Sequence, residues 1–228
     1  MDSNKLSNKN RHFRIQVINP NSSRAVTDTI EQSIHDLPAR MNLEIICSQL
    51  DKAPNVIETN EDVQIAEELI KAEIKTSSAD AFVVACFSDP GVRYLRENGQ
   101  RNVYGIAETA MLIAALQKGD FGIISILPGS IPRHQKQAHA LGLDTRLAGD
   151  VALNFGVLEL ENEDKAKPKL LEVGTKLKNK MYAGSIILGC AGMGKYQHWL
   201  QEELGITVID PCRAAVTMAA ANLMTTSR

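Results

Sequence analysis

Apolar residues fall along this chain in short β-branched runs, separated by stretches in which they recur every three or four positions. FRIQVIN reads as a strand that stops at Pro20, since proline has no N–H to give to a ladder. From Ser22 to Leu37 the spacing of Val26, Ile30 and Ile34 predicts a helix. MNLEIIC reads as a second strand. Val63, Ile65, Ala66, Leu69, Ile70 and Ile74 form the apolar stripe of a helix between Glu61 and Ser77. AFVVAC follows without a polar break, which suits a parallel strand buried on both faces. The βαβαβ order predicts an α/β fold, with helices covering a parallel sheet.

The plan then runs a second time. FRIQVINPNSS, from Phe13, aligns without gaps with FGIISILPGSI, from Phe121, and Pro20 falls on Pro128. ADAFVVACFSDPG carries Cys86, and AGSIILGCAGMG carries Cys190, each at the carboxyl end of its strand. NVYGIAE and ITVIDPC supply the next strand of each half, placing Ile106 on Ile209. An Ala-rich helix follows in both, ETAMLIAAL and RAAVTMAAA. Unrelated α/β segments would share element order, but not a cysteine at the same strand end. An internal duplication is therefore expected: two similar parallel-sheet α/β domains with a cleft between them. The predicted organisation is a disordered lead-in over 1–11, a first domain over 12–117 and a second over 118–212. A C-terminal helix over 213–228 is expected to pack back on the first domain. The charged run ENEDKAKPK, with Pro168, reads as a solvated loop before a helix ending near Lys180.

Composition narrows the function classes. The chain has 228 residues, with 25 Lys plus Arg against 27 Asp plus Glu. Balanced charge gives no basic face for nucleic acid. No apolar run approaches the roughly 20 residues of a membrane span. The start, MDSNKLSNKNR, lacks the apolar stretch of a signal peptide. A cytoplasmic location is expected, where the four cysteines remain thiols rather than a disulfide framework.

Ligands of open α/β sheets bind outside the carboxyl ends of the strands, where both Cys86 and Cys190 lie. If the halves face each other about a pseudo-twofold axis, the two thiols approach a ligand from opposite sides. One can remove an α-proton while the other delivers one to the far face. A free thiol pKa of about 8.5 makes either protonation state accessible near neutrality. In CFSDPG, Asp89 and Pro90 read as cap and first residue of a helix. Peptide N–H groups at such a helix start, and in CAGMG, should lower a thiolate pKa and hold an enolate oxygen. Asn19 and Asn21, in INPNSS, are candidates for substrate contacts or for loop rigidity; NPNSS is equally readable as a turn and helix cap.

Other motifs carry less. Cys47 reads as core and Cys212 as structural. His134 and His139 are not at the spacing of a helical zinc pair and lack a third ligand, so no metal is expected. GCAGMGK imitates a nucleotide-binding loop, but Tyr196 stands where a Ser or Thr would bind magnesium.

Through INPNSS, ACFSDPG, LGCAGM and VID the chain resembles the Asp/Glu/hydantoin racemase family, most of all its hydantoin and allantoin racemase branch. The resemblance covers nearly everything from Phe13 onward. It implies two α/β domains, no cofactor, and Cys86 and Cys190 as a catalytic pair. It further implies that Asn19, Phe87, Ser88, Ala191 and Gly192 stand at substrate-binding positions. Ser88 departs from the Gly that the branch often has in ACFGDPG. The implied activity is racemisation of a 5-substituted hydantoin or allantoin by two-base proton transfer. Aspartate or glutamate racemisation and maleate-type cis-trans isomerisation are alternatives within the superfamily, and a non-enzymatic small-molecule binding module is the alternative outside it. The expected partner is a small-molecule substrate, with no nucleic acid and no membrane; a homo-oligomer is left open.

Overall fold

The computed structural model describes residues 12–41 and 43–226; the lead-in over 1–11 lies outside them. Among the described residues eight strands form two separate four-stranded parallel sheets of identical order. The first holds β1 (Phe13–Asn19), β2 (Leu43–Gln49), β3 (Ala81–Val84) and β4 (Val103–Gly105), ordered β2-β1-β3-β4. The second holds β5 (Phe121–Ser125), β6 (Leu147–Ala152), β7 (Ser185–Leu188) and β8 (Thr207–Ile209), ordered β6-β5-β7-β8. The fold is α/β with two similar domains. Helices α1 (Arg24–Ile34), α2 (Leu37–Met41), α3 (Asn60–Thr76), α4 (Val92–Glu97) and α5 (Ile106–Ala115) accompany the first sheet in sequence. Helices α6 (Ile131–Ala140), α7 (Glu163–Lys180), α8 (Gln197–Leu204) and α9 (Pro211–Thr226) accompany the second.

β3 and β7 read AFVV and SIIL and are buried at every position. They are central strands, covered on both faces. The edge strand β6, LAGDVA, is only half-buried throughout and carries no apolar run, so its sequence does not announce it.

Strand pairing corrects the alignment of the two halves. Ala81 and Ser185, which open β3 and β7, pair with Ile15 and Phe121. Phe121 therefore corresponds to Ile15 and not to Phe13, and the gapless match is out by two residues. Side chains on a strand alternate with period two, so such a slip leaves every apolar residue on its proper face. Likewise Phe82 pairs with Val103 and Ile186 with Val208. Ile209 thus corresponds to Tyr104 rather than to Ile106, and Asp210 to Gly105.

Other boundaries also move. The first helix starts at Arg24 with Ser23 as its cap, ends at Ile34, and a separate α2 takes up Met41, so β2 starts only at Leu43. On α3 the buried face is Ala66, Ile70 and Ile74; Ile65 is exposed. The run ENEDKAKPK is not a loop. α7 begins at Glu163, where the Asn162 side chain accepts from Lys165 N–H, and Pro168 lies inside the helix. Proline there removes one N–H near the helix start, and α7 continues through it to Lys180.

The main hydrophobic core runs through both halves, while a smaller cluster of Ile18, Ile70, Phe82 and Val84 fills the outer side of the first sheet. The two Ala-rich helices join the halves. α9 packs on β1, β3 and β4; α5 packs on β5 and β7, and against α9. Their buried faces are built from Ala107, Ala110, Ala114, Ala215 and Ala219, small side chains that permit close approach.

Candidate active site

In both sheets the chain reverses its direction of winding between the first and third strands, which leaves a crevice at their carboxyl ends. The residue after each central strand is tied across that crevice. Ala85 N–H donates to Ile18 O and Gly189 N–H to Ile124 O, both at 2.8 Å. The next residues are Cys86 and Cys190. Both thiols line one pocket between the halves, of about 590 Å³ including its open mouth. That is the size of a small-molecule site. Its walls are largely apolar, from Val26, Ile57, Phe87, Ile126, Leu127 and Val157.

The two cysteines have matching surroundings. Ser88 N–H points at Cys86 Sγ and Gly192 N–H at Cys190 Sγ, the residue two positions on in each case. These donors favour thiolate, as does Arg133 near Cys86. Burial outweighs them. It pushes Cys86 up to about 11 and Cys190 up to about 12, the latter raised further by Cys86 and Glu58. The expectation of lowered thiol pKa values is thus corrected: the N–H groups are present, but desolvation of a charged sulfur in an apolar crevice is the larger effect.

Of the other predicted site residues, Asn21, Phe87, Ser88 and Ala191 line the pocket. Asn19 does not. Its buried amide donates to Asn21 Oδ1, to Ser23 O and to Thr27 Oγ1, and its own Oδ1 accepts from Asn21 N–H. It rigidifies the loop on which Asn21 is carried. Gly192 acts through its N–H rather than as a wall. Asp89 caps a helix, but not the one that follows it. α4 starts after Gly91, and Asp89 instead accepts from Ala107 and Glu108 N–H at the start of α5, at 2.9 and 2.8 Å. Asp89 holds φ = 45°, a left-handed conformation, to reach there.

Glu58, Arg133 and His134 border the pocket without having been read from the sequence as site residues. Arg133, on α6, spans the cleft: its Nε donates to Ser88 Oγ at 3.1 Å, and its other nitrogens reach Asn60 Oδ1 and the Glu58 carbonyl. Glu58 in turn accepts from Val157 N–H at 3.2 Å. The available signal was position, since α6 starts just beyond β5 and its first turn must edge the crevice. Cys47 and Cys212 stand outside the pocket. Lys195 of the GCAGMGK run pairs with Glu161 at 3.5 Å. Among the described residues no three His, Cys, Asp or Glu side chains gather as a metal site.

Comparison with known proteins places this geometry in context. The family described as Asp/Glu/Hydantoin racemase matches residues 15–219. The chain is 37% identical over 217 residues to the hydantoin racemase of Paenarthrobacter aurescens, covering 91% of this chain and 89% of that protein. It is 32% identical over 211 residues to the hydantoin racemase of Pseudomonas sp. (strain NS671), covering 91% and 84%. Among solved structures, the allantoin racemase from Klebsiella pneumoniae superposes with a TM-score of 0.88 at 33% identity, covering 93% of this chain and 88% of that one.

Proposed function

The chain belongs to the Asp/Glu/hydantoin racemase family, and on that premise we propose that it racemises a 5-substituted hydantoin or allantoin with Cys86 and Cys190 as its two bases, without a cofactor. The observation that carries this reading is the placement of both thiols in one pocket at equivalent points of the two halves. In one direction a thiolate takes the proton from the stereocentre and becomes a thiol. The opposite thiol then gives its proton to the other face of the carbon and becomes the thiolate. Turnover leaves the two with exchanged roles. The carbonyl beside the carbon accepts the developing charge, which is why a group as weakly basic as a thiolate suffices.

The apolar walls favour a neutral ring over a zwitterionic amino acid. Arg133, the cation in the pocket wall, already has its guanidinium engaged with Ser88, Asn60 and Glu58. Polarimetry on single enantiomers of hydantoins, allantoin, aspartate and glutamate, with a chelator present, tests the proposal. Decay of rotation is expected with one of the cyclic ureides. Activity confined to the amino acids, or lost on chelation, would overturn it.

A further inference from the structure

His134 is a titratable group in the pocket wall that the two-thiol scheme leaves unused. Its ring is 2% exposed and meets the Phe87 ring edge to face, with centroids 4.9 Å apart. Nδ1 lies 2.8 Å from Asp150 Oδ2 and 3.1 Å from Ser125 Oγ, neither of which lines the pocket. Ser125 also donates to the other oxygen of Asp150. All three side chains are buried. Both possible partners sit on Nδ1, so this is not a nucleophile-activating triad, in which the hydroxyl would face Nε2. A carboxylate only accepts, so it fixes the ring proton on Nδ1. Nε2 then carries a lone pair on the ring edge away from the sheet, and no described residue bonds to it.

We infer that His134 Nε2 is a substrate-positioning acceptor that takes a hydrogen bond from a ring N–H of a cyclic ureide. The inference rests on the cyclic-ureide reading above and adds a selection rule to it. An acceptor in an apolar wall rewards a ligand with an N–H at that point. It penalises one that presents oxygen there, such as a carboxylate or an ester-type ring. Asp150 and Ser125 act through the ring, by setting its tautomer.

The test compares a 5-substituted hydantoin with isosteres in which either ring N–H is replaced: an oxazolidine-2,4-dione with oxygen beside the stereocentre, and the N3-methyl hydantoin. Two ratios are read on each protein, kcat/KM by polarimetry and Kd by calorimetry; ratios do not depend on the folded fraction. For the unaltered protein one replacement should cost roughly 10- to 100-fold, the range for a buried group left unpaired. In His134→Phe that ratio should fall towards one. In Asp150→Asn, whose amide can donate to Nδ1 and turn Nε2 into a donor, the ratio should also collapse although the imidazole is retained. If His134→Phe weakens the hydantoin and its isosteres alike, the role is structural and the inference is overturned. Retention of the full ratio by Asp150→Asn would overturn the tautomer assignment on which it stands. Should the unaltered protein racemise none of the compounds, the racemase reading fails, while the Kd ratio still decides on His134 separately.

Discussion

At Cys86 and Cys190 opposed influences act on each proton, and burial prevails over the aligned N–H groups of Ser88 and Gly192. Both thiols are therefore protonated at pH 7 in the ligand-free protein, whereas the proposed reaction needs the pair with one proton removed. Below about 11 the fraction in that form rises tenfold per pH unit. We expect log kcat/KM to climb with a slope near one between pH 7 and 10; a bell centred on neutrality would contradict the buried-thiol picture. The same shifts bear on stability. An unfolded thiol ionises near the ordinary value of 9.0 and these two only at about 11 and 12. Their contribution is complete below pH 9 and is lost as pH rises through the folded values. Single substitutions separate the two faces of the carbon. Cys86→Ser and Cys190→Ser should each stop inversion, by at least about 100-fold given the usual worth of a positioned acid or base. Each should still exchange the α-hydrogen of one enantiomer in heavy water, and not the same one. Proton NMR reads this directly, and exchange of a single enantiomer by both variants would mean that the thiols share a face.

Among the secondary elements, the starts of α5 and α9 solve one problem in two ways. At α9 the capping carboxylate is local: Asp210 accepts from Cys212 N–H at 2.8 Å and from Arg213 N–H at 3.3 Å. At α5 the corresponding residue is Gly105, and the carboxylate arrives from Asp89 in the loop after β3. A Cβ on Gly105 would lie 2.2 Å from Asp89 Cγ, and one on Gly194, in the loop after β7, 2.7 Å from Asp210 Oδ2. The capping carboxylate has exchanged positions between the halves: it comes from the loop residue Asp89 in the first and from the helix-start residue Asp210 in the second. Gly105→Asp should crowd two carboxylates into one cap, and Asp89→Gly should leave α5 uncapped, each costing about 1–2 kcal/mol. The double variant rebuilds the second half's solution in the first and should recover most of both losses. Urea unfolding of the four proteins reads the coupling, and simple additivity would refute the equivalence. This exchange also marks how far the sequence could be read. The cysteine pair, the parallel strands and the duplicated order were legible because burial on both faces writes itself into AFVVAC and SIILGC. The cap at Asp89 was misassigned to its own helix because its real partner is a strand away. Glu58, Arg133 and His134 were missed for the same reason: what brings them together is tertiary, and none belongs to a local motif. The two-residue slip between β1 and β5 was invisible to any periodic argument.

Over the whole molecule, the pocket is held by parts of both halves. Arg133 reaches across to Ser88 and Glu58, and Glu58 reaches back to Val157. Beneath them lies the crossing of α5 and α9. Each half ends in a helix that packs on the other half's sheet, so neither sheet is covered by its own stretch of chain alone. Such an arrangement behaves like a knotless clasp with two tongues. A chain cut at Lys118, in the exposed turn between α5 and β5, would yield one piece whose sheet lacks α9 and another whose sheet lacks α5. Each piece alone should collapse without cooperative unfolding, exposing an alanine-floored groove shaped for the tongue it has lost. Mixed in equal amounts they should assemble, regain a single sharp transition, and with it the pocket that neither contains. A fragment that melts cooperatively by itself would show that the clasp is ornamental. Otherwise the spacing between the two thiols is a property of closure, and separate halves could never have kept it.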